Sequence, residues 1–289
     1  MPSFMPSLLQ CVPNFSEGRD PQIIHAIVEA AQSVPGVRVA DWSADPDHNR
    51  LVVTLIGPPS PIGEACRAAC AVAVARIDLS RQQGVHPRLG ALDVLPLVPL
   101  VGITLDECAA LARTLGAELA RAHSLPVFLY EAASPLHRPL PFVRREAFHA
   151  LAPDFGPPAP HATAGAAVVG ARGPLVAFNV NLADPDPRTA RRVAREVRES
   201  GGAGFRGVRA LGLALASRGQ SQVSMNITLP GETSLLALVA YISRRALELG
   251  THMVGSEVVG ALPGFAARAV GEEALGAAVL PGQVLWDIG

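Results

Sequence analysis

The stretch from Leu79 to Pro99, LSRQQGVHPRLGALDVLPLVP, concentrates side chains that could do chemistry. Pro87 fixes its own φ and biases His86 away from the α region, so we expect His86 on an extended loop. The apolar run from Leu92 to Leu100 predicts a buried strand that starts just after this loop. An imidazole exchanges protons near pH 7, and the guanidinium of Arg88 can bind a carboxylate. The loop is therefore a candidate catalytic site, and the alternative is a structural histidine.

Two further polar segments follow predicted strands. In Cys11–Arg19 (CVPNFSEGR), Asn14 is a candidate substrate ligand, although asparagine, serine and glycine are also ordinary turn residues. In Asp45–Arg50 (DPDHNR), the aspartates could bind a cation, but Asp-Pro-Asp is common in turns, which is the interpretation we favour. Arg50 opens the next predicted strand and could pair with a substrate carboxylate.

A fourth segment, Asp154–Arg172 (DFGPPAPHATAGAAVVGAR), is rich in small residues, glycine and proline. Its glycines would let the backbone approach a flat ligand closely. It contains no Walker motif and no G-x-G-x-x-G that opens a helix, which argues against phosphate-binding loops of those kinds. Its composition alone favours a flexible linker.

The order of predicted elements indicates the fold class. Asp20 with Pro21 is typical of a helix start, and Thr104 with Glu107 predicts a capping box. The predicted strands are Leu8–Asn14, Val37–Trp42, Leu51–Ile56, Leu92–Leu100, Val127–Tyr130, Leu175–Asn181, Val208–Ala216, Gln222–Leu229 and His252–Val258. With the intervening helices and a last helix within Gly260–Leu280, both halves read βαββαβ. We therefore expect an α+β protein with two ferredoxin-like subdomains, residues 1–182 and 183–289.

Composition narrows the function classes. The net charge is −1 and charged residues make up 17%, which does not suggest a nucleic-acid surface. No histidine spacing completes a metal site with the cysteines, which we interpret as buried thiols in a reducing compartment: Cys11, Cys66, Cys70 and Cys108. No apolar run reaches the ~18 residues of a membrane span, and the N-terminus lacks the regions of a signal peptide. We expect a cytoplasmic protein that binds no metal, membrane or nucleic acid.

Several motifs together resemble one family. The segments CVPNFSEGR, DPDHNR, GVHPRLGALDVLPLVP, PDFGP, VVGAR and AFNVNL are similar to those of the glutamate formiminotransferases, the transferase portion of formiminotransferase-cyclodeaminase. The resemblance runs in order from Leu9 to about Leu182 and continues through QVSMNIT and VVGSEVVGALP. It implies two ferredoxin-like subdomains, a folate site in the cleft between them, and a homodimer. The chain stops where a cyclodeaminase domain would begin, so that second activity is expected to be absent.

The resemblance also implies residue roles. The family's catalytic histidine falls on His86, and the implied reaction moves a formimino group from N-formimino-L-glutamate to N5 of tetrahydrofolate. One histidine can take the proton from the cationic N5 and return it to the departing glutamate nitrogen. Arg50 and Arg88 are candidates for the substrate carboxylates, and Arg172 could meet the folate tail. The implied folate-binding residues are Gly156, Pro157, Pro158, Ala159, Pro160, His161, Ala162, Thr163, Ala164 and Gly165.

This sequence departs from the family pattern at four positions. Ser43 stands where we expect aspartate, Gln82 where relatives often have histidine, and Val85 where they often have glutamate. Ala164 stands in place of a tryptophan in the folate segment. Loss of the glutamate removes a neighbour that could raise the pKa of His86. Two alternatives stay open: a transferase that uses a formyl or other one-carbon donor, and a non-catalytic module that binds folate or an amino acid.

Overall fold

A computed structural model describes residues 7–262 and 264–275. The chain divides into two compact units, one ending at Gly173 and one starting at Pro174. The boundary predicted at residue 182 assigned the strand 176–182 to the first subdomain, but this strand pairs within the second unit. Within the described ranges, no helix is long and apolar enough to cross a membrane.

The first unit is built on one seven-stranded sheet. Its strands are β1 (Leu8–Cys11), β2 (Asn14–Phe15), β3 (Arg38–Asp45), β4 (Arg50–Gly57), β5 (Leu92–Val101), β6 (Val127–Glu131) and β7 (Ala167–Ala171). Its helices are α1 (Pro21–Gln32), α2 (Pro59–Arg76), α3 (Leu105–His123) and α4 (Leu140–Glu146). Across the sheet, β3 pairs with β4, both β1 and β2 lie between β4 and β5, and β7 and β6 follow.

The part of this sheet from β5 to β6 differs from the sequence expectation. The pairs up to β5 are antiparallel, whereas β5 pairs with β7 and β7 with β6 in parallel. The segment that contains β7 was predicted to be a flexible linker, and this is wrong for its second half, because all five residues of β7 are buried. The apolar run of β7 is short, so the local sequence gives no clear strand signal. The strand is defined instead by its parallel pairing with β5.

Local signals set the helix starts where the sequence predicted them. The Asp20 side chain accepts hydrogen bonds from the backbone N–H groups of Gln22 and Ile23. Thr104 and Glu107 form a reciprocal capping box. The three longer helices of this unit and the sheet enclose a core that contains Phe15, Ile27, Leu55, Leu95 and Leu115, while α4 covers a smaller cluster on the other side. The sheet is therefore covered by helices on both faces near β5.

The second unit has a simpler four-stranded antiparallel sheet. Its elements are β8 (Val176–Leu182), α5 (Pro187–Val197), β9 (Val208–Leu215), β10 (Gln220–Ile227), α6 (Leu235–Glu248), β11 (Met253–Val259) and α7 (Gly264–Leu275). The strand order is β11-β8-β10-β9. The helix predicted within Gly260–Leu280 is confirmed for residues 264–275, and residues 276–280 of that range lie outside the described residues. Together the two units confirm the mixed α+β class.

Candidate active site

The loop that carries His86 is held against the turn before β4. The backbone N–H of Val85 donates to the carbonyl of Asp47 at 3.0 Å. The guanidinium of Arg88 donates to the carbonyl of His48 at 3.0 Å. His86 lies between these two hydrogen bonds. They hold its loop against the turn, although some 35 residues of chain separate the two segments.

A polar chain fixes the start of the same loop. One carboxylate oxygen of the buried Glu17 accepts from the Gln82 amide at 2.8 Å. Gln82 in turn accepts from the side chain of Asn49, whose own oxygen accepts from the backbone N–H of Gly18 at 2.8 Å. Asn49 has a φ of 47°, a left-handed conformation that asparagine tolerates better than most residues. Gln82 therefore links the segment around Glu17 to the turn that contains Asn49.

The end of the His86 loop contacts the predicted folate-binding segment. The backbone N–H of Ala166 donates to the carbonyl of Leu89, and the N–H of Ala91 donates to the carbonyl of Ala164, both at 2.9 Å. Gly90 and Gly165 form an isolated β-bridge. Four polar segments that are scattered along the sequence are thus brought together at one end of β5.

The predicted folate segment has a tight turn at its end. His161 and Gly165 exchange backbone hydrogen bonds of 2.8 and 3.0 Å, and Nδ1 of His161 accepts from the N–H of Ala164 at 3.0 Å. The residues from Pro158 to Pro160 are exposed. Ala164, where a tryptophan was expected, is fully buried in the core of the unit, so its side chain offers no surface for stacking.

Several basic side chains influence the charge state of His86. Nη1 of Arg50 lies 2.9 Å from Nε2 of His86. The His48 ring stacks on the His86 ring with centroids 5.9 Å apart and an angle of 20° between planes. Burial, and then the charges of Arg50, Arg144, His48 and Arg88, hold the pKa of His86 well below its usual range. The ring is therefore neutral at pH 7.

Arg144 reaches this site from α4, and sequence reasoning missed it. It forms a two-pronged ion pair with the buried Asp93, with distances of 2.6 and 3.3 Å, and donates to the carbonyl of Pro87 at 2.6 Å. Asp93 also accepts from the backbone N–H of Leu89 at 2.6 Å. No local signal marks Arg144, because its helix lies in a proline-rich region more than 50 residues from the loop.

Arg88 has an unused hydrogen-bonding group. Its Nη1 is buried and has no hydrogen-bond partner among the described residues. A Cβ added at Gly84 would lie 2.2 Å from Nη2 of Arg88 and 2.4 Å from the carbonyl of His48, so only glycine fits beside this guanidinium. A buried guanidinium N–H without a partner is unfavourable, and a carboxylate is the acceptor that suits it best.

The other two substrate candidates, Asn14 and Arg172, lie in different parts of the sheet. Asn14 pairs with Val52 of β4, so its side chain shares a sheet face with Arg50, and its amide donates to the carbonyl of Val12 at 2.9 Å. Arg172 follows the far end of β7, roughly 20 Å along the strand direction from Gly165. It contacts Tyr130 there, and the structure does not bring it to the His86 loop.

The cysteines form no part of this site. All four are free and buried, as predicted. Sγ of Cys11 and Sγ of Cys66 lie 3.5 Å apart, and burial raises the pKa of Cys70 to about 12. Such thiols are poor nucleophiles, because the reactive thiolate is scarce at pH 7. Within the described part of the chain, no group of three or more histidine, cysteine or acidic residues could hold a metal ion.

Comparison with known families gives two matches that together cover most of the chain. Residues 8–172 match the family model described as "Formiminotransferase domain, N-terminal subdomain", and residues 177–272 match "Formiminotransferase domain". The chain therefore belongs to the formiminotransferase family, which is a class of transferases. The family predicted from the sequence motifs is confirmed.

Individual relatives are similar over most of the chain. A glutamate formimidoyltransferase of Streptococcus pyogenes serotype M1 is 39% identical, with 93% of each chain covered. One of Thermoplasma acidophilum is 36% identical, with 89% of this chain and 88% of the relative covered. The formimidoyltransferase-cyclodeaminase of Sus scrofa is 40% identical over 90% of this chain, which spans 51% of that relative's length.

The side-chain hydrogen bonds of Gln82 give a first prediction. Replacing Gln82 with alanine removes the links to Glu17 and Asn49, so the His86 loop is less well positioned. We expect the kcat of the transferase reaction to fall about 10-fold, because small errors in placing a catalytic group are costly. The free energy of unfolding, measured by urea denaturation, should fall by about 1–2 kcal/mol.

A neighbouring glutamine provides the matched control. The side chain of Gln83 is exposed, and only its backbone carbonyl binds Asn49, at 3.0 Å. Gln83→Ala should therefore leave kcat and the free energy of unfolding unchanged. Equal effects of the two substitutions on kcat would show that the side-chain hydrogen bonds of Gln82 do not position the His86 loop.

Proposed function

We propose that this protein transfers a formimino group from N-formimino-L-glutamate to N5 of tetrahydrofolate, giving 5-formiminotetrahydrofolate and L-glutamate. Membership of the formiminotransferase family supports the reaction class. The assignment of the site rests on the surroundings of His86, which is a neutral imidazole on a loop with several arginines nearby. Histidine degradation is the process that would supply this donor.

The proposed chemistry needs one group that both accepts and donates a proton. N5 attacks the formimino carbon, which forms a carbon–nitrogen bond and leaves N5 with a positive charge. His86 accepts the N5 proton and returns it to the glutamate nitrogen as the bond between that nitrogen and the formimino carbon breaks. A neutral imidazole suits the first step, and the resulting imidazolium suits the second.

The charges around His86 support a donor with two carboxylates. A positive charge develops on N5 during attack, and the nearby arginines alone would oppose it. Carboxylates bound by Arg50 and by the unused Nη1 of Arg88 would offset this repulsion. They would also raise the pKa of His86 towards the pH at which the enzyme works.

Tetrahydrofolate is the co-substrate in this proposal, and residues 156–165 are its candidate binding segment. The hydrogen bond from Ala91 to Ala164 and the bridge between Gly90 and Gly165 support this choice, because they connect the segment to the His86 loop. The pterin would approach the turn between His161 and Gly165, where the backbone is compact. Arg172 is left out of the proposed reaction centre. The proposed chemistry involves no metal.

Each unit supports a ferredoxin-like assignment by its strand order. In the second unit, strands β8, β9, β10 and β11 are the first to fourth of βαββαβ and lie in the order fourth-first-third-second. In the first unit, β5, β1, β4 and β3 lie in the same relative order, with β7 and β6 added beyond β5. A homodimer and a cytoplasmic location are further proposals, which sedimentation and cell fractionation would check.

A comparison of donors tests the proposed function. The purified chain is incubated with tetrahydrofolate and either N-formimino- or N-formyl-L-glutamate, and the folate product is measured by mass spectrometry. We expect rapid transfer from the formimino donor, unchanged by EDTA. Faster transfer from the formyl donor would favour the formyltransferase alternative. Folate binding without turnover of either donor would favour the binding module.

A further inference from the structure

The hydrogen bond between Arg50 and His86 has a direction that matters for catalysis. Nη1 of Arg50 and Nε2 of His86 are 2.9 Å apart. A guanidinium only donates hydrogen bonds, so Nε2 accepts, and the neutral ring carries its proton on Nδ1. The lone pair on Nε2 is therefore occupied by this hydrogen bond.

Both partners of this hydrogen bond are held by the fold. Arg50 is the first residue of β4 and pairs with Asp45 across the hairpin to β3. His86 is fixed by the bond from Val85 to the carbonyl of Asp47, in the same hairpin turn. Because one turn positions both residues, the fold itself determines their contact.

An incoming carboxylate would compete for Arg50. A hydrogen bond between a guanidinium and a carboxylate is charged on both sides and about twice as strong as one to a neutral acceptor. The groups that face His86 are Arg50 from β4, Arg144 from α4, His48 from the turn and Arg88 from its own loop. Arg144 is already ion-paired with Asp93, whereas the buried Nη1 of Arg88 has no partner among the described residues and attracts an anion.

We propose that Arg50 is a positioning residue that blocks Nε2 of His86 in the empty enzyme and releases it when a substrate carboxylate takes over the hydrogen bond. The inference rests on the proposed function, since it supposes that the donor binds here. No covalent bond changes in this step, and only hydrogen-bond partners are exchanged. The base would then be available only when the amino-acid donor is bound.

Nuclear magnetic resonance of the histidine rings tests this step without turnover. The full chain is labelled with 15N-histidine, the His86 signals are assigned by their loss in H86A, and L-glutamate serves as the carboxylate probe. In the wild-type protein we expect Nδ1 to carry the proton, and saturating glutamate to raise the pKa of His86 by about one pH unit. In Arg50→Gln, the pKa should start higher and change much less with glutamate.

One further variant separates the hydrogen bond from the charge, and another is a control. Arg50→Lys keeps the charge but loses the planar donor, so we expect a response between those of the wild type and Arg50→Gln. If Arg50→Gln fails to fold, Arg50→Lys alone decides the question. Arg121→Gln removes an exposed charge from α3, and it should respond to glutamate as the wild type does.

Three results would overturn the inference. They are a proton on Nε2 in the ligand-free wild type, no change of the His86 signals in a large excess of glutamate, and an equal glutamate response with and without Arg50. Failure of the proposed function appears separately, as a lack of formimino transfer in the donor comparison. Transfer activity with a glutamate response independent of Arg50 would refute only the role of Arg50.

Discussion

Replacing His86 with alanine is expected to lower the kcat for formimino transfer by ~100-fold or more, as is typical when a general base is lost. Binding of tetrahydrofolate, measured by calorimetry, should survive, because this loop contacts residues 156–165 through the backbone of Gly90 and Ala91 and not through the His86 side chain. His149→Ala removes an exposed histidine and is the control, which should keep full activity. A kcat within threefold of the wild type would exclude His86 as the base.

The pH dependence of the wild type gives a second readout on the same residue. The pKa of His86 in the free enzyme lies well below its ordinary value, so the acidic limb of kcat/KM should fall below about pH 6.5. The unfolded chain takes up this proton at a higher pH than the folded protein does. Stability therefore falls as the pH drops from about 6.5 towards the folded pKa, and this loss should be smaller in H86A.

Replacing Gly165 with alanine should destabilise the protein by about 3 kcal/mol. Gly165 has a φ of +66°, which costs about 1–2 kcal/mol for an L side chain. The added Cβ would lie 2.2 Å from the carbonyl oxygen of Leu89 and 2.6 Å from Cδ1 of Leu79, and such overpacking costs about 1–3 kcal/mol more. Urea denaturation measures the effect, and folate affinity should fall as the His161–Gly165 turn is displaced.

A second glycine provides the control for this prediction. Gly202 has no heavy atom within 4 Å of an added Cβ, and its φ is not positive. Gly202→Ala should therefore change the free energy of unfolding by less than about 0.5 kcal/mol. A Gly165→Ala protein as stable as the Gly202→Ala protein would show that the loop and the folate segment are not packed as described.

Local features of the sequence determined the helix starts, the central strands and the His86 loop. Asp186 accepts from the backbone N–H of Arg188 at a helix that begins with Pro187, and both residue types act within one turn of the chain. The apolar run after the loop is β5, because seven of its ten residues are buried and its valines favour an extended strand. The motifs near His86 were also sufficient to identify the family.

Only the tertiary structure decided what surrounds His86. His48 stacks on its ring from a turn, and Arg144 on a distant helix binds the carbonyl of the next residue, Pro87; no local pattern specifies such contacts. The strand β7 likewise depends on its parallel pairing with β5, and the buried position of Ala164 depends on the core beneath the loop. Backbone caps are satisfied by neighbours in the chain, whereas pairing register and side-chain packing depend on residues far apart in sequence.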